Sequence, residues 1–154
     1  MLLRDSFPAL ADWNIRLLAT DLSPTMIARA RAGLYSQLEV NRGLPAPLLI
    51  KYFEKTGDTW RIRDSARRGA EFRELNLARP WPALPSMDLV FLRNVMIYLD
   101  LDTKRRILTQ LRALLRPDGY LVLGTAETTY GLDDAFERVP FGKATAYRVK
   151  GAAD

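Results

Sequence analysis

Short apolar runs alternate along this chain with stretches in which apolar residues recur every third or fourth position. Residues 2–11 read as the tail of an amphipathic helix that closes at Phe7-Pro8. Ile15-Arg16-Leu17-Leu18-Ala19-Thr20-Asp21 predicts a short buried strand ending in an acid. Ser23 and Pro24 follow as N-cap and first helical residue, so a helix is expected from Pro24 to about Ala32, stopping at Gly33. Met87–Leu92 and Tyr120–Gly124 read as two further buried strands. Between them a helix is marked from about Asp102 to Leu115 by Ile107, Leu108, Leu111, Leu114 and Leu115. Pro117-Asp118-Gly119 reads as a turn, and Phe136–Val149 as an antiparallel hairpin turning at Phe141-Gly142-Lys143.

Residues 34–68 have a different texture. A short helix is expected at Pro47–Phe53, a turn at Lys55–Asp58, and a half-exposed strand at Thr59–Arg63. This stretch reads as a small β-subdomain inserted at about residues 36–70. Ala70–Leu75 then alternates again and ends at Asn76. Buried strands alternating with helices imply an α/β fold whose sheet is mainly parallel, closed by an antiparallel hairpin. In such sheets ligands bind at the carboxyl ends of the strands. Three of those ends are polar: Asp21, Arg93-Asn94, and Thr125–Glu127.

Composition narrows the chemistry. The chain has 154 residues, enough for one domain with a real core. It contains no cysteine and no histidine, which excludes disulfides, thiol nucleophiles, Ser-His-Asp triads and most transition-metal sites, so no metal is expected. No apolar run is long enough to cross a membrane, and MLLRDSFPAL does not read as a signal peptide. The net charge is +5. Its densest clusters, Arg61, Arg63, Arg67 and Arg68, then Lys104, Arg105 and Arg106, fit either a solvated surface or an acidic partner.

The strand ends carry the candidate chemistry. Asp21 can accept both hydroxyls of a ribose, or simply sit favourably near a helix N-terminus. Asn76 can pair with an adenine edge and Leu77 can pack on its face; both also suit an ordinary turn. Phe91-Leu92-Arg93-Asn94-Val95-Met96-Ile97-Tyr98-Leu99-Asp100 is the most informative stretch. A buried strand that ends in Arg needs a partner for the guanidinium. That partner is either a ligand or one of Asp88, Asp100 and Asp102, and Tyr98 either serves the site or packs.

Arg93–Tyr98 resembles the RNVMIYF motif of the chemotaxis receptor methyltransferases, the CheR family. Leu18–Ser23 is similar to that family's ATD[IL]S segment, Ala32–Tyr35 to its A-x-x-G-x-Y, and Tyr52-Phe53 to the YF before its small β-subdomain. Phe72–Leu77 resembles F-x-x-x-N-L, Leu115–Leu121 resembles L-x-P-G/D-G-x-L, and Gly124–Glu127 resembles G-x-[SA]-E. The resemblance implies a Rossmann-like fold and S-adenosylmethionine-dependent methylation of glutamate side chains on cytoplasmic receptor helices. It also implies a cytoplasmic protein with neither nucleic-acid binding nor membrane insertion. By the same resemblance, Asp21 holds the ribose hydroxyls, Asn76 and Leu77 contact the adenine, and Arg93 and Asn94 line the cofactor. Arg93 and Tyr98 serve the methyl transfer. That chemistry needs no histidine, because a glutamate carboxylate is already ionised near neutral pH.

The family's first strand, its glycine-rich loop and the catalytic arginine after that loop belong before residue 1. The implied sheet therefore lacks its central strand here, leaving two uncovered strand edges. Weak cofactor binding, no methylation by the chain alone, and self-association through those edges are the expectations. Lys55–Arg63 is shorter than in members that grip a tethering peptide, which favours a peptide-independent member. The alternative function is a non-catalytic remnant or interaction module of a signalling system. A nucleic-acid amino-methyltransferase would carry [DN]-P-P-[YF] at Arg93–Met96, and a nicotinamide dehydrogenase would need G-x-G-x-x-G; neither pattern is present.

Overall fold

Proline sets the first boundary of the chain. In the computed structural model, which describes residues 1–10, 12–142 and 144–151, helix α1 (Leu2–Ser6) ends at Phe7. Pro8 disfavours helical geometry in the residue before it and opens a 3-10 turn instead. Leu2 and Leu3 are both exposed, so the expected amphipathic helix is a five-residue piece whose leucines are not in the core.

The chain divides into two units, Met1–Leu75 and Asn76–Asp154. After α1 the first continues through β1 (Leu17–Asp21), α2 (Pro24–Ala32), β2 (Leu34–Ser36), α3 (Gln37–Val40), α4 (Ala46–Tyr52), β3 (Phe53–Thr56), β4 (Thr59–Ile62), α5 (Asp64–Arg67) and β5 (Ala70–Glu74). β1 and β5 pair in parallel from Leu17↔Ala70 to Asp21↔Glu74. Ser23 caps α2 by accepting the Met26 N–H, and Pro24 opens its first turn. Gly33 ends it in the left-handed region at φ 63°, where an added methyl would also strike Ile62.

Strands β2, β4 and β3 form a three-stranded antiparallel sheet in that order. Its first strand begins at Leu34, with Tyr35 paired to Trp60. Val40, Tyr52 and Phe53 form its small core, with Tyr35 edge-on to Phe53 at 5.8 Å. Arg63 is ion-paired with Glu54 and Arg67 donates to the Arg31 carbonyl. Those two members of the densest basic cluster thus have local partners.

The second unit holds β6 (Met87–Leu92), α6 (Leu101–Leu114), β7 (Leu115–Leu123), β8 (Phe136–Phe141) and β9 (Ala144–Val149). Its sheet order is β6-β7-β9-β8, with β6 and β7 parallel and the other two pairings antiparallel. Ile107, Leu108 and Leu111 of α6 pack with Leu92, Met96, Leu121, Leu123, Phe136 and Tyr147 into the larger core. Asp100 starts α6 by accepting the Thr103 N–H and hydroxyl.

Three expectations are corrected. Pro117-Asp118-Gly119 is not a turn between helix and strand, because β7 runs from Leu115 through it. The extra residues are absorbed by an irregularity in which the β6 partner shifts from Leu115 opposite Met87 to Tyr120 opposite Leu89. β1 is a half-exposed strand, and β6 exposes Leu89 and Phe91 while burying Leu92. The reason is partnership: among the described residues β1 pairs only with β5, and β6 only with β7. The hairpin forms as expected, although Lys143 of its turn lies outside the described residues.

Candidate functional site

In the first unit the carboxyl end of β1 carries Asp21. Its Oδ1 accepts the Ser23 N–H at 2.8 Å, closing the tight turn from strand into α2. Among the described residues Oδ2 takes no hydrogen bond, and the side chain is exposed. The Leu75 N–H donates to the Asp21 carbonyl at 2.9 Å, so the chain leaving β5 stays bound to this strand end. The arrangement offers a carboxylate acceptor beside a helix start. A cleft of about 570 Å³ lined by Arg31, Asp64, Arg67 and Phe72 lies at the other end of β5. There the Arg31 and Arg67 guanidinium groups donate to backbone carbonyls, a structural use.

In the second unit Asn76 forms a local turn, its Oδ1 accepting the Ala78 N–H at 2.9 Å. This leaves the side-chain NH₂ to donate. Leu77 is half-buried against the larger core. Beyond β6 the chain passes Arg93 and Asn94, which sits in the left-handed region at φ 59°, and enters a 3-10 turn at Met96–Tyr98. The Tyr98 phenol is 81% exposed, so packing does not explain it.

The three acids that offered Arg93 a structural partner are engaged elsewhere. Asp88 pairs with Arg116 at 3.2 Å and Asp102 with Arg105 at 3.4 Å. Asp100 is taken up by Thr103, whose N–H and hydroxyl hold its carboxyl below the ordinary value. Among the described residues Arg93 has no ion-pair partner and lines a cleft of about 460 Å³ with Thr125, Glu127, Arg138, Thr145 and Tyr147. Arg138 donates through Nε and Nη2 to Thr145 Oγ1, at 3.2 and 2.8 Å. Arg93, just past the end of β6, and Arg138, within β8, both line this cleft and give it two guanidinium groups to meet an anion.

One residue of this region, read from the sequence only as part of a polar strand end and of the G-x-[SA]-E resemblance, was given no role there. Glu127 is 8% exposed and its carboxylate accepts four main-chain N–H groups. Oε2 takes those of Asn94 and Gly124, each at 2.7 Å, and Oε1 takes those of Val95 at 2.9 Å and Met96 at 2.7 Å. Burial alone raises the carboxyl pKa, but the four donors outweigh it and the net shift is downward. Gly124 has no space for a side chain, since an added methyl would lie 2.5 Å from Asn94 Oδ1 and 2.6 Å from Glu127 Oε2. The available signal was an acid three residues beyond a glycine at the end of a buried strand.

Parallel strand pairs, β1 with β5 and β6 with β7, each with polar residues just past the strand ends, make an α/β scaffold of the Rossmann-like kind. The solved structure of LepI in complex with SAM matches the fold with a TM-score of 0.55 at 13% identity, covering 96% of this chain and 39% of that one. At that identity the likeness concerns the fold alone. The family model of the CheR methyltransferase SAM-binding domain matches residues 1–145, and the chain belongs to that family. Chemotaxis protein methyltransferase 1 of Pseudomonas aeruginosa is 39% identical over 138 residues, 89% of this chain and 50% of that protein. A chemotaxis protein methyltransferase 1 of Vibrio cholerae is 38% identical over the same length and shares. The chain thus spans about half the length of these curated relatives.

Proposed function

We propose that this chain forms the S-adenosylmethionine-binding part of an enzyme that methylates glutamate carboxylates on chemotaxis-type receptors. The observation that carries the reading is Arg93, an unpaired cation at the end of β6, opening on a cleft it shares with Arg138. The domain reading belongs to the same proposal: residues 1–154 are part of one catalytic domain, with the β-subdomain at about residues 36–70.

The residues suit the cofactor. Asp21 keeps one carboxylate oxygen for the ribose hydroxyls, and Asn76 keeps its NH₂ for an adenine ring nitrogen. Leu77 offers an apolar face beside it, and Asn94 lines the cofactor after Arg93. When bound, S-adenosylmethionine supplies an activated methyl group on a sulfonium. What this chain's residues do is simple. Arg93, with Arg138 beside it, attracts and holds an incoming carboxylate. The Tyr98 phenol donates a hydrogen bond that orients it. No proton has to be removed, since the glutamate is ionised near neutral pH. Aligning oxygen with methyl carbon is the remaining work.

The test is formation of base-labile methyl esters on receptor glutamates. It is assayed for the 154-residue chain and for the chain extended by the family's glycine-rich segment. The extended form is expected to turn over and to lose that turnover in Arg93→Ala, whereas the short chain binds cofactor weakly. Full turnover by Arg93→Ala would sink the reading. The pairing of β1 and β6 on one side only, among the described residues, also favours self-association through strand edges. Sedimentation of the short chain as a clean monomer at high concentration would exclude it.

A further inference from the structure

Four main-chain N–H groups converge on the Glu127 carboxylate, three of them from the consecutive residues Asn94, Val95 and Met96. Successive amides turned to one side form an anion-binding concavity, a conformation that usually waits for a phosphate or carboxylate ligand. Here the anion comes from the protein itself, thirty-odd residues further along the chain. The cradle leaves it no other role. Each oxygen already accepts two donors, and Gly124 is closed against any side chain. Glu127 is therefore in no position to serve as a base, an acid or a substrate ligand. What it does is hold the backbone on both sides of Asn94, which sits at φ 59° in the left-handed region that asparagine enters more readily than most non-glycine residues. The same bonds fix the start of the Met96–Tyr98 turn.

We propose that Glu127 is a positioning residue of the methyl-transfer site: its carboxylate sets the Asn94–Met96 backbone and thereby aims Arg93 into its cleft and Asn94 and Tyr98 at the loop surface. The part of this proposal that concerns cofactor rests on the function proposed above; the part that concerns the loop does not. Glutamine cannot replace the carboxylate, because its NH₂ would point at two of the four N–H donors. Aspartate keeps the charge but reaches one methylene less far.

The experiment is a titration of the chain extended by the family's glycine-rich segment, as above, with S-adenosylhomocysteine, followed by amide and arginine Nε resonances. It compares wild type, Glu127→Gln, Glu127→Asp and a core control, Leu111→Ala, which destabilises α6 far along the helix from the loop. In Glu127→Gln the Gly124, Asn94, Val95 and Met96 amides and the Arg93 Nε are expected to move together, with affinity falling about ten-fold or more. Glu127→Asp should fall between this variant and wild type, and it carries the test if Glu127→Gln does not fold. Leu111→Ala should leave these resonances and the affinity close to wild type. Unmoved loop resonances in Glu127→Gln would overturn the proposal. So would moved resonances with unchanged affinity, or an equal affinity loss in Leu111→Ala, since either outcome makes Glu127 a stability residue only. No binding by wild type would refute the cofactor reading instead, and the loop and Arg93 resonances would still decide whether Glu127 sets the loop.

Discussion

The carboxyl ends of β1 and β6 both present polar side chains, yet they are built on opposite plans. At β1 the geometry is local. Asp21 binds the N–H of Ser23, and Ser23 in turn caps α2. At β6 the geometry comes from afar. The loop from Arg93 to Tyr98 is held by Glu127, which arrives from the end of β7. The first plan costs little and leaves the acid exposed to solvent. The second buries a charge, which is tolerable only because every acceptor position is filled. A locally built site should survive loss of any one distant contact, whereas a site held from afar should fail with its clamp.

The largest effect is expected where the second plan depends on packing. Ile107→Ala removes a fully buried side chain from the core that also holds Met96 and Leu92. It should cost about 2–5 kcal/mol in urea unfolding. A loss well under 1 kcal/mol would mean this core does not carry the β6 end.

Gly124→Ala should come next, at about 1–3 kcal/mol, because the new methyl meets Asn94 and the Glu127 carboxylate. Its signature is disturbance of the Asn94–Met96 amides with little change at Asp21. An undisturbed loop in a stable Gly124→Ala protein would break the contrast.

Asp21→Ala tests the local plan. Cofactor affinity should fall by roughly 1.5–3 kcal/mol, the worth of hydrogen bonds to a charged acceptor. The unfolding midpoint should barely move. Equal affinity in both proteins, read by calorimetry on the extended chain, would remove Asp21 from the site.

Acid separates the two ends further. The Glu127 carboxyl has a folded-state pKa below its ordinary value of 4.5, where it stands in the unfolded chain. Its contribution is therefore fully present above that value and is lost as pH falls below it toward the folded value. Wild type should lose more stability than Glu127→Gln on going from neutral pH to acid below 4.5. Parallel losses would show that the carboxylate is not held as described.

The smallest effect belongs to Tyr98→Phe. Its exposed hydroxyl contributes nothing measurable to folding, within about 0.5 kcal/mol. Methylation rate should drop with cofactor affinity retained. Unchanged turnover would leave Tyr98 without a role at this strand end.

How much of this was legible beforehand depends on how far apart the interacting residues lie. The strand–turn–helix from Leu17 to Gly33 could be read directly, because cap, proline and stop signal act within a few residues. So could α6, whose apolar stripe is set by helical periodicity. The antiparallel subdomain and the hairpin followed from alternation and turn residues. Asp21, Asn76, Leu77, Arg93, Asn94 and Tyr98 could be read as candidates at or just beyond strand ends, and the RNVMIY stretch resembled one family.

Tertiary structure alone decided the rest. Whether Arg93 was neutralised depended on where Asp88, Asp100 and Asp102 turned, and each found another partner. That β7 absorbs Pro117-Asp118-Gly119 depended on its register against β6, a pairing between segments about thirty residues apart. The four-amide cradle of Glu127 required the ends of two parallel strands to lie side by side. Local propensity acts over one or two turns of chain, and it carries no information about which distant amide an acid will meet.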